Sequence, residues 1–298
     1  MNAGFIMPPQ FADRVRRDEP LSRHTSWHVG GPADWFFTPR DREDLLAFLR
    51  ALPPETPLLW LGLGSNLLVR DGGVRGVVIS TREALTALER RGEREVYAEA
   101  GVPCAKFARQ CARWNLGPAE FFSGIPGTMG GALSMNAGAF GGETWEQVRQ
   151  VETVDRRGQV HVRAADQYRV SYRHVQAPAN DEWFLAATLH FDGPSSEPAT
   201  RALLERRKQT QPIGEWSCGS VFTNPPGDHA ARLIETAGLK GRRVGGAVVS
   251  SKHANFILNE GEATARDIES LVEQVQHAVE RAHGLRLKPE FRVVGEAA

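Results

Sequence analysis

"FFSGIPGTMGGALSMNAGAFGGE", residues Phe121 to Glu143, contains seven glycines and a single charged residue, the closing Glu143. Core helices avoid glycine, which costs about 1 kcal/mol per position relative to alanine. A surface loop of this length would normally carry more charge. Bare backbone is needed where a chain approaches a ligand closely or takes a positive φ. Consecutive N–H groups in such a turn form a concave anion site. A helix beginning near Pro126, with proline at its first position, would add its positive end to that site. A second segment, "GLGSN" from Gly62 to Asn66, has the same character. Neither is a dinucleotide fingerprint: "GLGSNLLV" lacks the third glycine, and a strand-like run follows it. No GK[ST] occurs, so there is no P-loop. Either segment alone reads equally well as a tight turn in a glycine-rich β protein. Together, with uncharged polar neighbours Asn66, Thr128, Ser134 and Asn136, they point to a diphosphate held by main chain. A large, mostly apolar cofactor around that diphosphate suits the apolar surroundings.

The flanking sequence supplies the frame. Asp41 to Leu52 reads as a helix stopped by Pro53-Pro54. "PLLWLG", the two halves of "LGLGSNLLVRDGGVRGVVIS" and "REVYAEAG" read as strands. Pro103 to Asn115 reads as a helix with Cys104, Phe107, Ala108 and Cys111 on one face. "VETVDRRGQVHV" is a hairpin and "WFLAATLHF" a strand. Pro194 to Pro198 reads as a linker, followed by a helix reaching Lys208. The remainder is strand "GSVFTN", helix His229 to Ala237, strands "RVGGAVVS" and "ANFILN", and a long final helix. In that helix Ile268, Leu271, Val272, Val275, Val279 and Ala282 make one stripe. Thr264 and Asp267 fit a capping box, and Gly284 fits the stop.

The chain has 298 residues, a formal net charge of zero, 41% hydrophobic and 24% charged residues. That is globular composition with room for two or three domains. The neutral balance argues against nucleic acid as a partner. Three cysteines, Cys104, Cys111 and Cys218, form no CxxC pair and read as free thiols in a reducing cytoplasm. The N-terminal stretch lacks the apolar region of a signal peptide, and no run is long enough to span a bilayer. The histidines form no metal pattern. A soluble, cytoplasmic protein is expected.

At this level the sequence resembles a family. "LGLGSNLLVRDGGVRGVVI", "SGIPGTMGGALSMNAGAFGGE", "SYR", "CGSVFTNP", "GGAVVSSKHANFILNEG" and "LKPEFRVVG" occur in the order seen in UDP-N-acetylenolpyruvoylglucosamine reductases. These flavin enzymes complete UDP-N-acetylmuramate for bacterial peptidoglycan. The resemblance runs from Leu21 to Gly295. It implies an α+β protein with an FAD-binding fold of the vanillyl-alcohol-oxidase and p-cresol-methylhydroxylase type in two subdomains, residues 1–82 (with 285–298 returning to it) and 83–200. A C-terminal α+β substrate domain, residues 201–284, would follow. It implies FAD contacts at Gly62, Gly64, Ser65, Asn66 and Leu67, and at Gly124, Ile125, Pro126, Gly127, Thr128, Gly130, Gly131, Asn136, Ala137 and Gly138.

The implied reaction has two halves. NADPH reduces the flavin, and UDP-N-acetylglucosamine enolpyruvate then takes hydride at C3 and a proton at C2. Negative charge that develops at C2 needs an electrostatic clamp and a proton donor. Ser220 in "CGSVF" matches the family's proton donor; on residues alone it reads rather as a small polar residue in a strand. It is not a hydrolase elbow, since GxSxG is absent. Arg173 in "SYR" matches the arginine that clamps the carboxylate or enol, for which a planar fork is suited. Glu290 in "KPEFR" matches the catalytic glutamate. Lys208, Asn224 and Tyr172 match substrate contacts. Thr223 departs from the pattern, because lysine is common there, and Lys208, Lys252 or Arg242 would have to supply the charge. The short interval from Arg173 to Lys208 looks like the form without an extra tyrosine-bearing loop. A monomer with no membrane partner is expected. Two other readings remain at this stage. One is an FAD oxidase or dehydrogenase of the same fold acting on another alcohol or sugar, against which "CGSVFTNP" and "LKPEFRVVG" speak. The other is a non-catalytic nucleotide-sugar binder, which would not need the flavin segments.

Overall fold

The structure, a computed structural model, describes residues 7–298. The reading of the N-terminal stretch as lacking a signal rests partly on residues 1–6, which lie outside the described residues. The chain packs as two units. The first comprises the chain through Arg17, Trp35–Gly62 and Gly76–Leu204, and the second Asp18–Asp34, Leu63–Arg75 and Glu205–Ala298.

The first unit holds one whole sheet and most of a second. One has four strands in the order Val15–Pro20, Pro32–Phe37, Val74–Ser80, Leu58–Leu61. Its last two strands run parallel, Leu58 opposite Val77. Helix α1 (Arg42–Ala51) lies beside this sheet in the chain. The Asp41 side chain caps it by accepting from the Asp44 N–H at 2.8 Å, and its Leu45, Leu46, Phe48 and Leu49 are buried with Phe11 and Phe37. The other sheet has five antiparallel strands in the order Val160–Ala164, Val148–Asp155, Glu182–His190, Glu95–Glu99, Leu88–Arg91. The Leu88–Arg91 edge strand escapes a sequence reading because its residues, Leu-Glu-Arg-Arg, are nearly all polar and alternate no apolar face. Helices α2 (Cys104–Trp114) and α3 (Met129–Met135) contribute to one core with this sheet.

Two expectations in this unit need correction. The helix of the glycine stretch begins at Met129, not near Pro126. Gly127 instead turns back, its N–H donating to the Ile125 carbonyl at 3.0 Å, and Thr128 runs beside Pro103. Pro103 bridges Thr128, the Cys104 N–H donates to Gly127 at 2.9 Å, and the Met129 N–H donates to Val102 at 2.8 Å. Those bonds hold Thr128 in a β conformation at the helix cap. The stretch read as a linker, Pro194 to Pro198, is pinned rather than free. The Ser195 hydroxyl and the Ser196 N–H both donate to the Glu120 carboxylate, at 2.9 and 2.8 Å, and helix α4 (Glu197–Thr210) starts inside the expected linker.

In the second unit helix α5 (Ala230–Thr236) precedes a three-stranded sheet, Arg243–Val244, Ala247–Val249 and Ile257–Asn259. Helix α6 (Ala265–His283) follows, with the expected capping box between Thr264 and Asp267 and with Gly284 at φ 69° as its stop. Ile268, Leu271, Val272, Val275 and Val279 are buried, but Ala282 is exposed, so the stripe ends one turn early. The turn residue Asp71 adds a second cap: its carboxylate accepts from the Ala265 and Arg266 N–H groups at 2.9 and 3.1 Å. Arg292–Val294 pairs in parallel with Leu67–Val69, which brings the end of the chain beside the segment after "GLGSN". Trp27 is fully buried, donates its indole N–H to the Ile257 carbonyl at 2.8 Å and meets Phe291 edge to face.

All three cysteines are free and buried. Burial pushes the Cys104 thiol up to about 12. Since the thiolate is the reactive form, the native protein should leave all three unmodified by a thiol-specific disulfide reagent at pH 8 and show three thiols once denatured. Release of a chromophore equivalent from the folded protein at the rate of a free thiol would contradict this packing. None of the described helices is long and apolar enough to cross a membrane.

Candidate functional site

The glycines of the two segments divide by what surrounds them. A Cβ on Gly124 would stand 2.6 Å from the Phe140 ring and 2.7 Å from the Ala139 methyl, and one on Gly130 would stand 2.9 Å from the Ala100 methyl. A Cβ on Gly62 would meet the Thr128 hydroxyl at 2.5 Å. Gly64, at φ 62°, lies against the chain at His24, where a Cβ would be 2.1 Å from the carbonyl oxygen. These glycines are required by the protein's own packing. Gly131 is different: it is exposed, with nothing nearer to its missing Cβ than the Thr128 hydroxyl at 3.9 Å. The N–H groups of Met129, Gly130 and Ala132 are taken by the carbonyls of Val102, Ala100 and Thr128, leaving Gly131 as the amide of that first turn able to face a ligand.

The second segment shows a polar group awaiting a partner. The Ser26 N–H donates to the Gly64 carbonyl at 3.2 Å. The Ser26 hydroxyl beside it is buried without a hydrogen-bond partner. Buried hydroxyls are nearly always paired, so Ser26 is open to a polar group of a ligand along this turn. The bare amide at Gly131 fits a phosphate oxygen. Ser26 carries no sequence signal, because nothing in "HTSWHVGG" separates it from an ordinary surface serine.

This division yields a pair of expected results. Gly64→Ala forces a side chain into positive φ, about 1–2 kcal/mol of strain, and into the His24 carbonyl, so it should lower thermal stability and strip the flavin together. Gly131→Ala should leave the melting temperature of the apoprotein unchanged and weaken flavin binding. Thermal melts of apoprotein with flavin titrations would separate them; unchanged flavin affinity in Gly131→Ala would remove this residue from the site.

Arg173 is built into the glycine stretch. Tyr172 and Arg173 form the tip of a hairpin in which Ser171 faces His174. Arg173 takes φ 56°, and its guanidinium donates to the Gly138 carbonyl at 2.9 Å and the Asn136 carbonyl at 3.3 Å. Its Cζ also lies 4.8 Å from the centre of the Tyr172 ring. Asn136 is buried at φ 48°, with its amide donating to Glu143 at 2.7 Å and Ser171 at 3.2 Å and accepting from the Trp145 N–H at 3.1 Å. The Asn136 side chain, read as a polar donor for a diphosphate, thus serves to hold the stretch against the Arg173 hairpin. Tyr172 is 49% exposed, which leaves its ring open to a ligand.

In the second unit the structure gathers Asn66, Ser220 and Glu290. "GSVFTN" does not form the expected strand. Gly219 sits at φ 82°, and only Phe222 bridges, to Pro289. Two backbone bonds flank the bridge: Glu290 N–H to the Val221 carbonyl at 2.8 Å and Thr223 N–H to the Lys288 carbonyl at 3.0 Å. Glu290 thus lies opposite Val221, one residue from Ser220, and Ser220 and Glu290 are both half-buried. The Asn66 side-chain amide donates to the Glu290 carbonyl at 3.2 Å, and the Asn66 carbonyl accepts from the Arg292 N–H at 3.0 Å, tying the first glycine segment to the same place. Burial, and after it the nearby Glu290 carboxylate, holds the Cys218 thiol well above its usual range. Asn224 accepts from the Ala230 N–H at 3.1 Å at the start of α5, and Lys208 is exposed in the last turn of α4. Lys252 donates to the Lys208 carbonyl at 2.6 Å, and Arg242 to Gln274 at 2.9 Å, so neither stands beside Thr223 by a direct bond.

The FAD binding domain family matches residues 33–163. The family described as UDP-N-acetylenolpyruvoylglucosamine reductase, C-terminal domain, matches residues 211–294. The chain is 59% identical over 286 residues to the UDP-N-acetylenolpyruvoylglucosamine reductase of Alkalilimnicola ehrlichii, covering 95% of each chain. It is 58% identical over 282 residues to that of Methylococcus capsulatus, covering 94% of this chain and 92% of the other. The crystal structure of the UDP-N-acetylenolpyruvylglucosamine reductase from Thermus caldophilus matches with a TM-score of 0.80 at 36% identity, over 94% of this chain and 98% of that one. The expected α+β flavoprotein class with its C-terminal α+β domain stands. Sharing more than half its residues with such reductases along nearly its whole length, and matching both domains, the chain belongs to the UDP-N-acetylenolpyruvoylglucosamine reductase family.

Proposed function

We propose that the chain is an FAD-containing, NADPH-dependent oxidoreductase that converts UDP-N-acetylglucosamine enolpyruvate to UDP-N-acetylmuramate for peptidoglycan synthesis. When bound, FAD relays two electrons from NADPH to the enolpyruvyl ether. The protein's own residues supply the rest. The Ser220 hydroxyl delivers the proton to C2. A serine is a weak acid, and it serves because the carbanion is strongly basic and the path short. The Arg173 fork and the Glu290 carboxyl stabilise the charge that spreads from C2 into the carboxylate. Lys208, Asn224 and Tyr172 hold the nucleotide sugar. The amides of Gly62 to Leu67 and Gly124 to Gly138 hold the cofactor. Residues 1–82 with 285–298, and residues 83–200, make the flavin-binding parts, and residues 201–284 receive the substrate. The enzyme works as a cytoplasmic monomer without nucleic acid or membrane partners; three unbridged cysteines suit a reducing compartment.

The observation that supports the chemical reading is the hydrogen bond from the Glu290 N–H to the Val221 carbonyl, one residue from Ser220. The decisive experiment is anaerobic. The purified protein should be yellow, NADPH should bleach its flavin bands, and UDP-N-acetylglucosamine enolpyruvate should restore them. A protein that takes up FAD and is reduced by NADPH, yet is not reoxidised by this ether, would overturn the proposal.

A further inference from the structure

The segment that carries Ser220 belongs to no sheet, yet the N–H and C=O of both Val221 and Phe222 are hydrogen-bonded, and the partner on its open side is one buried residue. The bonds from Thr223 and Glu290 flank Phe222, so the N–H and C=O of Phe222 face away from residues 288–290, as in any non-hydrogen-bonded antiparallel pair. Asn255 meets both. Its Oδ1 accepts from the Phe222 N–H at 3.0 Å, and its Nδ2 donates to the Phe222 carbonyl at 2.8 Å. Its own carbonyl accepts from the Val221 N–H at 2.9 Å. Asn255 is 4% exposed. It is itself fixed by the turn in which the Phe256 N–H donates to the His253 carbonyl, and by the strand Ile257–Asn259 that follows at once.

We propose that Asn255 is the positioning residue that sets Ser220 for proton delivery, an inference that rests on Ser220 being the proton donor. A carboxamide carries a donor and an acceptor in one plane and so stands in for a missing neighbouring strand. Aspartate would turn an oxygen toward the Phe222 carbonyl, and an apolar residue would leave two buried backbone groups unpaired. An apolar residue thus frees both the Phe222 N–H and its carbonyl, and aspartate frees the carbonyl alone, while the Glu290 N–H still holds the Val221 carbonyl on the other side. The Ser220 hydroxyl, one residue away, then shifts relative to C2. Displacement by about 1 Å can cost about 10²-fold in rate.

The test uses the flavin-loaded enzyme and follows both half-reactions by rapid mixing. Asn255→Ala should be reduced by NADPH at the wild-type rate and be reoxidised by UDP-N-acetylglucosamine enolpyruvate about 10–10²-fold more slowly. In a Ser220→Ala background the same substitution should add no further loss. Amide hydrogen exchange of residues 219–224 should accelerate in Asn255→Ala. If that variant fails to fold, Asn255→Asp keeps the acceptor for the Phe222 N–H and should show the same split between half-reactions. Equal slowing of both halves, unchanged exchange, or a loss that multiplies with that of Ser220→Ala would overturn the inference. Wild-type reoxidation in Ser220→Ala alone would instead overturn the proton-donor reading beneath it.

Discussion

Ser220→Ala is expected to accept reducing equivalents from NADPH as the native enzyme does, and to be reoxidised by substrate about 10²–10⁴-fold more slowly, the usual contribution of a positioned general acid. The division follows from where the proton is needed. Reduction by NADPH requires no proton at C2 of the ether, whereas turnover of the ether does. Folding should be untouched, because Ser220 is half-buried and its side chain holds no other element in place. The loss should persist across pH, since an alcohol does not titrate in the accessible range. Stopped-flow traces of flavin absorbance under anaerobic conditions measure the two halves separately. Equal slowing of both would show Ser220 to be a structural residue of its segment.

Arg173→Lys and Glu290→Gln should lose reoxidation to a similar extent, about 10²–10³-fold each, as when one preorganised contact to developing charge is removed. Lysine keeps the charge at residue 173 but not the planar fork. It can reach one of the carbonyls of Asn136 and Gly138 that the guanidinium now spans, not both. The cation should therefore drift even though its charge survives. Glutamine at 290 preserves shape and the backbone bond to Val221, so the strand pairing should remain and only the carboxylate is lost. Groups that serve one transition state act as a unit, so the double variant should lose less than the product of the singles. Fully multiplicative losses, or wild-type reoxidation in either single variant, would mean that the two residues do not act on the same charge.

The sequence alone determined those parts of the molecule whose causes are local. The stripe and caps of α6, the proline-stopped α1 and the buried face of α2 are written in neighbouring residues, because helical period and end-capping act within a few positions. The two glycine segments were legible as places where side chains are excluded, and the motifs around them sufficed for the family. Tertiary structure decided why each glycine is bare. Gly64 and Gly124 make room for the protein itself, whereas Gly131 faces open space, and no local pattern separates these cases. It also decided that "GSVFTN" is a pinned segment and not a strand, since its partners are a proline-bearing stretch and a side chain, Asn255, neither of which leaves a period in the sequence. Asn66 meets Glu290 across 224 positions, and Arg173 meets Gly138 across 35. Such bonds depend on how buried polar groups find partners once the chain has closed on itself, and that accounting is settled by the whole fold.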